Sequence, residues 1–115
     1  KAVLGKKFKS YYENPKAKGI IIDNTNPKKN TRDGWLSYIK DLNWKVVIIH
    51  IDIVKDVSIH CVKYRAFHGE PNIPLIAIHK YYKDLQPPTS SEGNVITLKG
   101  IIHNQKKYNH DLRFV

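Results

Sequence analysis

Methionine is absent from this chain of 115 residues, and cysteine occurs once, at Cys61. A lone cysteine excludes an internal disulfide and suits a reducing, intracellular compartment, the nucleus among those that fit. No apolar run approaches the roughly 20 residues of a membrane-spanning helix, so no membrane partner is expected. No secretory leader is visible. No Gly-x-x-x-x-Gly-Lys-Ser/Thr loop occurs, so these residues lack the usual cradle for nucleotide phosphates. Internal repeats and low-complexity tracts are also missing. With Lys1 already inside a helix-like pattern and no initiator methionine, the chain is expected to be part of a longer polypeptide.

Acidic residues are scarce beside basic ones. Ten Asp and Glu face twenty Lys and Arg, a formal net charge of +10. That balance favours polyanions such as nucleic acid, phosphorylated ligands or acidic lipid, or else simply makes a solvated, soluble surface. Lys6, Lys7, Lys9, Lys16 and Lys18 load the first eighteen residues, and Lys106, Lys107 and Arg113 load the tail.

Apolar spacing predicts a helix over 3–14, stopped by Asn14-Pro15, and a short buried strand over 19–23. Asn30 reads as an N-cap, with Asp33 in the first turn. Trp35, Leu36, Ile39 and Leu42 then form a stripe at steps of three and four, closed by Asn43. Residues 44–52 form a nearly continuous β-branched run, which predicts a strand covered on both faces. A helix follows over 53–68 and ends at Gly69. Another opens at Pro74 and stops before Pro87-Pro88. Residues 94–98 read as a strand, and Ile101-Ile102 as the start of one more. Strand, helix, strand, helix, helix, strand predicts an α/β domain, with a mostly parallel sheet and flanking helices. Residues 19–51 are long enough for one βαβ unit. The chain divides into a basic helix (1–18), an αβ core (19–98) and a basic tail (99–115).

The most informative stretch is 19–27. Glycine and three isoleucines give way abruptly to Asp23, Asn24, Thr25, Asn26 and Pro27. Ligands in α/β folds sit outside the carboxyl ends of parallel strands. A strand end carrying a carboxylate, two amides and a hydroxyl is therefore a candidate for phosphate or metal chemistry, with plain turn and cap chemistry as the alternative. Arg32 sits in the first turn of a helix, where the dipole disfavours a cation, so it is expected to work elsewhere, for example on a phosphate. His60 follows Asp56 by one helical turn and is explained by an ion pair. Cys61 falls on the apolar stripe and reads as core. Tyr82 also reads as core, although Tyr81 and Tyr82 beside Lys80 and Lys83 would suit base stacking. His50, His68, His79, His103 and His110 have no metal-ligand spacing.

Three blocks in order resemble the kinase domain of the bifunctional polynucleotide kinase/3′-phosphatase family. They are IIIDNTNP at 20–27 with Arg32 five residues beyond the proline, IHCVKYRAF at 59–67, and PPTSSEG at 87–93. The resemblance covers about 18–95 and implies the carboxyl-terminal part of a P-loop NTPase fold. It implies an ATP- and Mg²⁺-dependent 5′-hydroxyl kinase acting on DNA or RNA 5′ ends in nucleic-acid repair. The phosphate-binding loop and the general base would then lie upstream of Lys1, and these residues alone would be inactive.

The second block is similar to the family's lid helix. Its His-x-x-basic-aromatic-Arg pattern falls on His60, Lys63, Tyr64 and Arg65, with lysine where relatives hold arginine. The resemblance implies Arg65 for charge stabilisation on the transferred phosphoryl group, with Lys63 assisting. It implies Asp23 for the substrate hydroxyl or a metal-bound water, and Asn24, Thr25, Asn26 and Arg32 for substrate contacts. Two other functions fit the same residues: a degenerate kinase-like module that binds nucleic acid within a larger assembly, and a small-metabolite P-loop kinase.

Overall fold

The structure, a computed structural model, describes residues 2–99, with side chains from Lys6 onward. The strand expected at Ile101-Ile102, most of the basic tail, and His103 and His110 lie outside the described residues. Helix α1 (Ala2–Tyr12) opens the chain. Phe8 is its buried anchor and meets Tyr12, Trp35 and Tyr38 edge to face, at ring separations of 5.7, 5.4 and 5.5 Å. This aromatic cluster ties α1 to α2 (Lys29–Leu36). Asn14 ends α1 as expected: its Oδ1 accepts from the Lys16 amide at 3.0 Å, a turn that replaces the helical ladder.

Residues 19–23 do not form the expected strand. They make no ladder, and Ile21 is 94% exposed. Isoleucine favours extended backbone, but a strand also needs a neighbour to take its N–H and C=O groups. No neighbour pairs with this segment among the described residues, so the βαβ unit expected over 19–51 is not closed.

Helix α2 is shorter than its stripe predicted, and Asn30 does not cap it. Lys28 precedes it with no side-chain cap, and the first helical amide, Lys29 N–H, donates instead to Gln86 Oε1 at 2.8 Å. After Leu36 the bonds tighten to three-residue steps, Tyr38 N–H to Trp35 O and Ile39 N–H to Leu36 O. Ser37 Oγ donates back to Gly34 O at 2.7 Å. A flexible glycine and a back-bonding serine so close together favour turns over continued α-helix.

The sheet comprises β1 (Val47–Asp52) and β2 (Asn94–Lys99), paired in parallel from Val47 opposite Asn94 to Asp52 opposite Lys99. A parallel pair needs a long crossover. Here α3 (Lys55–Phe67) and α4 (Leu75–Asp84) provide it, within two residues of their expected bounds. Gly69, at φ 92°, ends α3: its own amide reaches Ala66 O and the Glu70 amide reaches Arg65 O. This paired closure needs the left-handed conformation that glycine adopts without a Cβ clash. Tyr82 pins α4 to the β1–α3 junction, donating its hydroxyl to Ile53 O at 2.6 Å while the Ser58 hydroxyl donates to the Tyr82 hydroxyl oxygen.

Among the described residues the architecture is thus a small α/β arrangement of four helices and a two-stranded parallel sheet. The expected cover on both faces of β1 is not present among the described residues. Val47, Ile49 and Ile51 are 54%, 61% and 49% exposed, whereas Ile48 and His50 are half-buried. The buried apolar core is thin, with Phe8 at one end and Val62 and Ile78 between α3 and α4.

Candidate functional site

A groove of about 910 Å³ lies between the 17–26 segment and β1. Ile20, Ile22, Leu36 and Ile48 give it an apolar lining, and Asn24, Thr25 and Asn26 form a polar wall. The wall has a defined shape. Asn24 Oδ1 accepts from the Thr25 amide at 2.8 Å. Asn26 stands at φ 37°, a left-handed conformation seen at no other non-glycine among the described residues. Asparagine tolerates it better than most residues, at some cost in strain. Asn26 Oδ1 and His50 Nε2 both belong to residues lining the groove. Both atoms are sealed from solvent and have no hydrogen-bond partner among the described residues.

Arg32 does not face solvent. Its side chain is 10% exposed and its fork closes on Glu92, with Nε 2.7 Å from Oε1 and Nη2 3.3 Å from Oε2. Nη1 donates to the carbonyls of Asn26 at 3.0 Å and Pro27 at 3.2 Å. Glu92 is buried and also accepts from the Thr89 amide at 2.8 Å, within a capping box around the 3₁₀ turn Ser90–Glu92. The Arg32 hydrogen bond holds the Glu92 carboxyl below the ordinary glutamate range, against the opposing effect of burial, and the Thr89 amide adds to it. The Gln86 amide reaches Pro27 O at 2.7 Å. The turn at Asn26-Pro27 is therefore gripped from α2, from the end of α4 and from the approach to β2.

The sequence-expected residues do not all meet. Asn24, Thr25, Asn26 and Arg32 gather at the groove, while Asp23 stands exposed beside it and does not line it. Lys63 and Arg65 are exposed on α3 and do not line it either. Two residues apart on a helix, they point about 160° apart and cannot converge on one ligand atom from a single face. His60 is 4% exposed and stacks with Tyr64 at 6.4 Å, with His68 4.5 Å from Tyr64, so an aromatic row runs along α3 from buried His60 through half-buried Tyr64 to exposed His68. Arg65 also sits in the last turn of α3, where the helix dipole favours a cation.

Against this geometry the comparison with known proteins is informative. The chain is similar to a bifunctional polynucleotide phosphatase/kinase. That protein comes from Schizosaccharomyces pombe and is 29% identical over 79 residues, which cover 68% of this chain and 19% of the relative. The chain thus spans about a fifth of the relative's length, and the match supports a relationship to the phosphatase/kinase family over that stretch. No protein-family model matches the chain.

A kinase of the phosphatase/kinase type works with ATP and a divalent metal. Asp23 is the loop's one carboxylate, and no group of three His, Cys, Asp or Glu side chains converges among the described residues. The arginine nearest the loop is already held by Glu92. Sequence reasoning missed Glu92 and Gln86 as partners of the loop. The Thr89-x-x-Glu92 capping pattern was a visible signal for a fixed glutamate, but nothing in the pattern pointed to Arg32 sixty residues away. It also missed Tyr81 as a groove residue. Burial pushes that phenol up, with Tyr82 and Asp52 adding to the rise and Arg32 opposing it.

Proposed function

We propose that this chain is the carboxyl-terminal portion of an ATP-dependent polynucleotide 5′-hydroxyl kinase, a P-loop NTPase-type enzyme of nucleic-acid end repair. The observation that carries this reading is the Asp-Asn-Thr-Asn loop: a polar turn fixed by buried contacts beside an apolar groove, in a chain similar to a polynucleotide phosphatase/kinase. In this reading Asp23, exposed and unencumbered by the groove wall, orients the 5′-hydroxyl of the acceptor strand. Asn24, Thr25 and Asn26 offer amide and hydroxyl groups to the terminal nucleotide. Arg65 on α3 neutralises charge on the transferred phosphoryl group, and Lys63, on another face of the helix, meets the strand's phosphates. Nucleotide and metal are held by the rest of the kinase domain.

The test is transfer of labelled phosphate from ATP to a 5′-hydroxyl oligonucleotide, DNA and RNA in parallel, by the full polypeptide that carries these 115 residues. Label should enter the 5′-hydroxyl strand and not the same strand already bearing a 5′ phosphate. No transfer to either strand would sink the reading. The net charge of +10 favours one alternative, a nucleic-acid-binding module without catalysis. Its signature is salt-sensitive binding with no transfer.

A further inference from the structure

Beside the Gln86 amide on Pro27 O, the side-chain hold on the Asn26 turn comes from one buried ion pair. Arg32 spans it: one edge of the guanidinium meets Glu92, and Nη1 meets the carbonyls of Asn26 and Pro27. Glu92 is itself fixed by its neighbours. Its Oε2 accepts the Thr89 amide, and the next residue, Gly93, lies so close to β1 that a Cβ there would fall 2.9 Å from Val46 Cγ1. The Asn94 amide then donates to Val46 O at 3.0 Å. The glutamate is thus referenced to the sheet, and the arginine carries that reference to the loop.

The loop residue it holds is the strained one. A left-handed turn at a non-glycine residue persists only where its surroundings over-determine it, and such residues concentrate at functional sites. Asn26 also keeps a sealed, unpartnered side-chain oxygen in the groove-lining wall. A buried acceptor without a partner costs stability in the free protein, on a scale set by the lost hydrogen bond. The arrangement therefore reads as preparation for a donor supplied from outside the described residues.

We propose that Arg32 and Glu92 form a positioning clamp that sets the Asn26 turn and so aims the amides of Asn24 and Asn26 at the acceptor strand's end. The inference rests on the kinase reading above. It gives Arg32 a role without direct substrate contact: the arginine acts through the loop. Precise placement of a reacting group accounts for large factors in rate, and a misplacement of about 1 Å can cost about 10²-fold.

The experiment uses Glu92→Gln and Arg32→Lys in the full polypeptide, with two readouts. Glu92→Gln keeps the shape but removes the charge. Arg32→Lys keeps the charge opposite Glu92 but loses the fork that also reaches the two carbonyls. In hydrogen–deuterium exchange, amides in the 23–31 window should exchange at least several-fold faster in both variants, while β1 and β2 amides stay at their wild-type rates. In steady-state 5′-end phosphorylation, kcat should fall by about 10- to 100-fold while KM for ATP and for the 5′-hydroxyl strand changes by less than about threefold. Unchanged exchange at 23–31 would overturn the clamp. So would wild-type kcat in an active enzyme, or exchange accelerated throughout the chain in both variants, since the pair would then merely hold the fold. A wild-type protein that transfers no phosphate would defeat the kinase reading instead, and the exchange data would still judge whether the pair sets the loop.

Discussion

Replacing Glu92 by alanine should destabilise the chain strongly. The carboxylate accepts four hydrogen bonds: Arg32 Nε at 2.7 Å, Arg32 Nη2 at 3.3 Å, the Thr89 amide at 2.8 Å and the Thr89 hydroxyl at 3.4 Å. Removing it strands a guanidinium whose side chain is 10% exposed. Breaking a buried pair on one side costs about 3–5 kcal/mol, because the partner charge stays out of water. Arg32 keeps its bonds to the Asn26 and Pro27 carbonyls, which argues for the lower end, about 3 kcal/mol. The assay is urea unfolding followed by tryptophan fluorescence, since Trp35 packs on Phe8 beside α2.

The double variant Arg32→Ala with Glu92→Ala removes the stranded charge and should be less destabilised than the sum of the two single variants. The penalty should also depend on pH. The folded carboxyl lies below its ordinary range, so its contribution is present above the unfolded glutamate pKa, about 4.3, and is lost as pH falls through the folded value. The gap between wild type and Glu92→Ala should therefore be full at neutral pH and narrow on acidification below about pH 4. A Glu92→Ala cost under about 1 kcal/mol, or a gap that widens in acid, would refute the reasoning.

Gly93→Ala should destabilise by about 1–3 kcal/mol in the same unfolding assay, because the new methyl meets the Val46 side chain and backbone at 2.9–3.0 Å; no loss would mean that β2 can shift away. Arg65→Ala in the full polypeptide should cut 5′-end phosphorylation turnover by about 10²–10³ with little rise in KM for ATP, and Arg65→Lys should restore part of it; near-full turnover would return Arg65 to a solvated helix surface. Binding of single-stranded nucleic acid should weaken with salt, each neutralised phosphate adding about 0.7 to the slope of log affinity on log salt, and removing Lys63 should lower that slope; salt-independent binding would contradict the electrostatic picture.

Local signals were the legible ones. Helices α1, α3 and α4 and strand β2 followed from apolar spacing, proline and glycine, because caps and stripes act within a few residues. The glycine closure at Gly69 was readable for the same reason. What failed depended on neighbours. Isoleucines at 20–22 specify a strand only if another edge pairs with them, and the stripe from Trp35 to Leu42 specified burial rather than an unbroken helix. The candidate site divided in the same way. The abrupt change from isoleucine to Asp-Asn-Thr-Asn marked the loop, and the unfavourable dipole position of Arg32 marked it as a residue with other work. Its partner, Glu92, lies sixty residues on, and no periodicity links two such positions. The opposed directions of Lys63 and Arg65 follow from helical phase alone, once the helix is granted.

Strand β1 carries a hazard as well as a site. Among the described residues it pairs with β2 alone, and Val47, Ile49 and Ile51 stand exposed along it. Residues 46–51, Val-Val-Ile-Ile-His-Ile, contain no proline, no glycine and no formal charge with histidine neutral. Such windows, left on an open edge, template their own copies into stacked sheets. The only charges at hand are Lys45 and Asp52, one at each flank, where natural sequences post residues that interrupt stacking. Concentrated solutions of the 115-residue chain should therefore assemble into fibrils, and Ile49→Lys, which puts a charge inside the window, should slow that assembly.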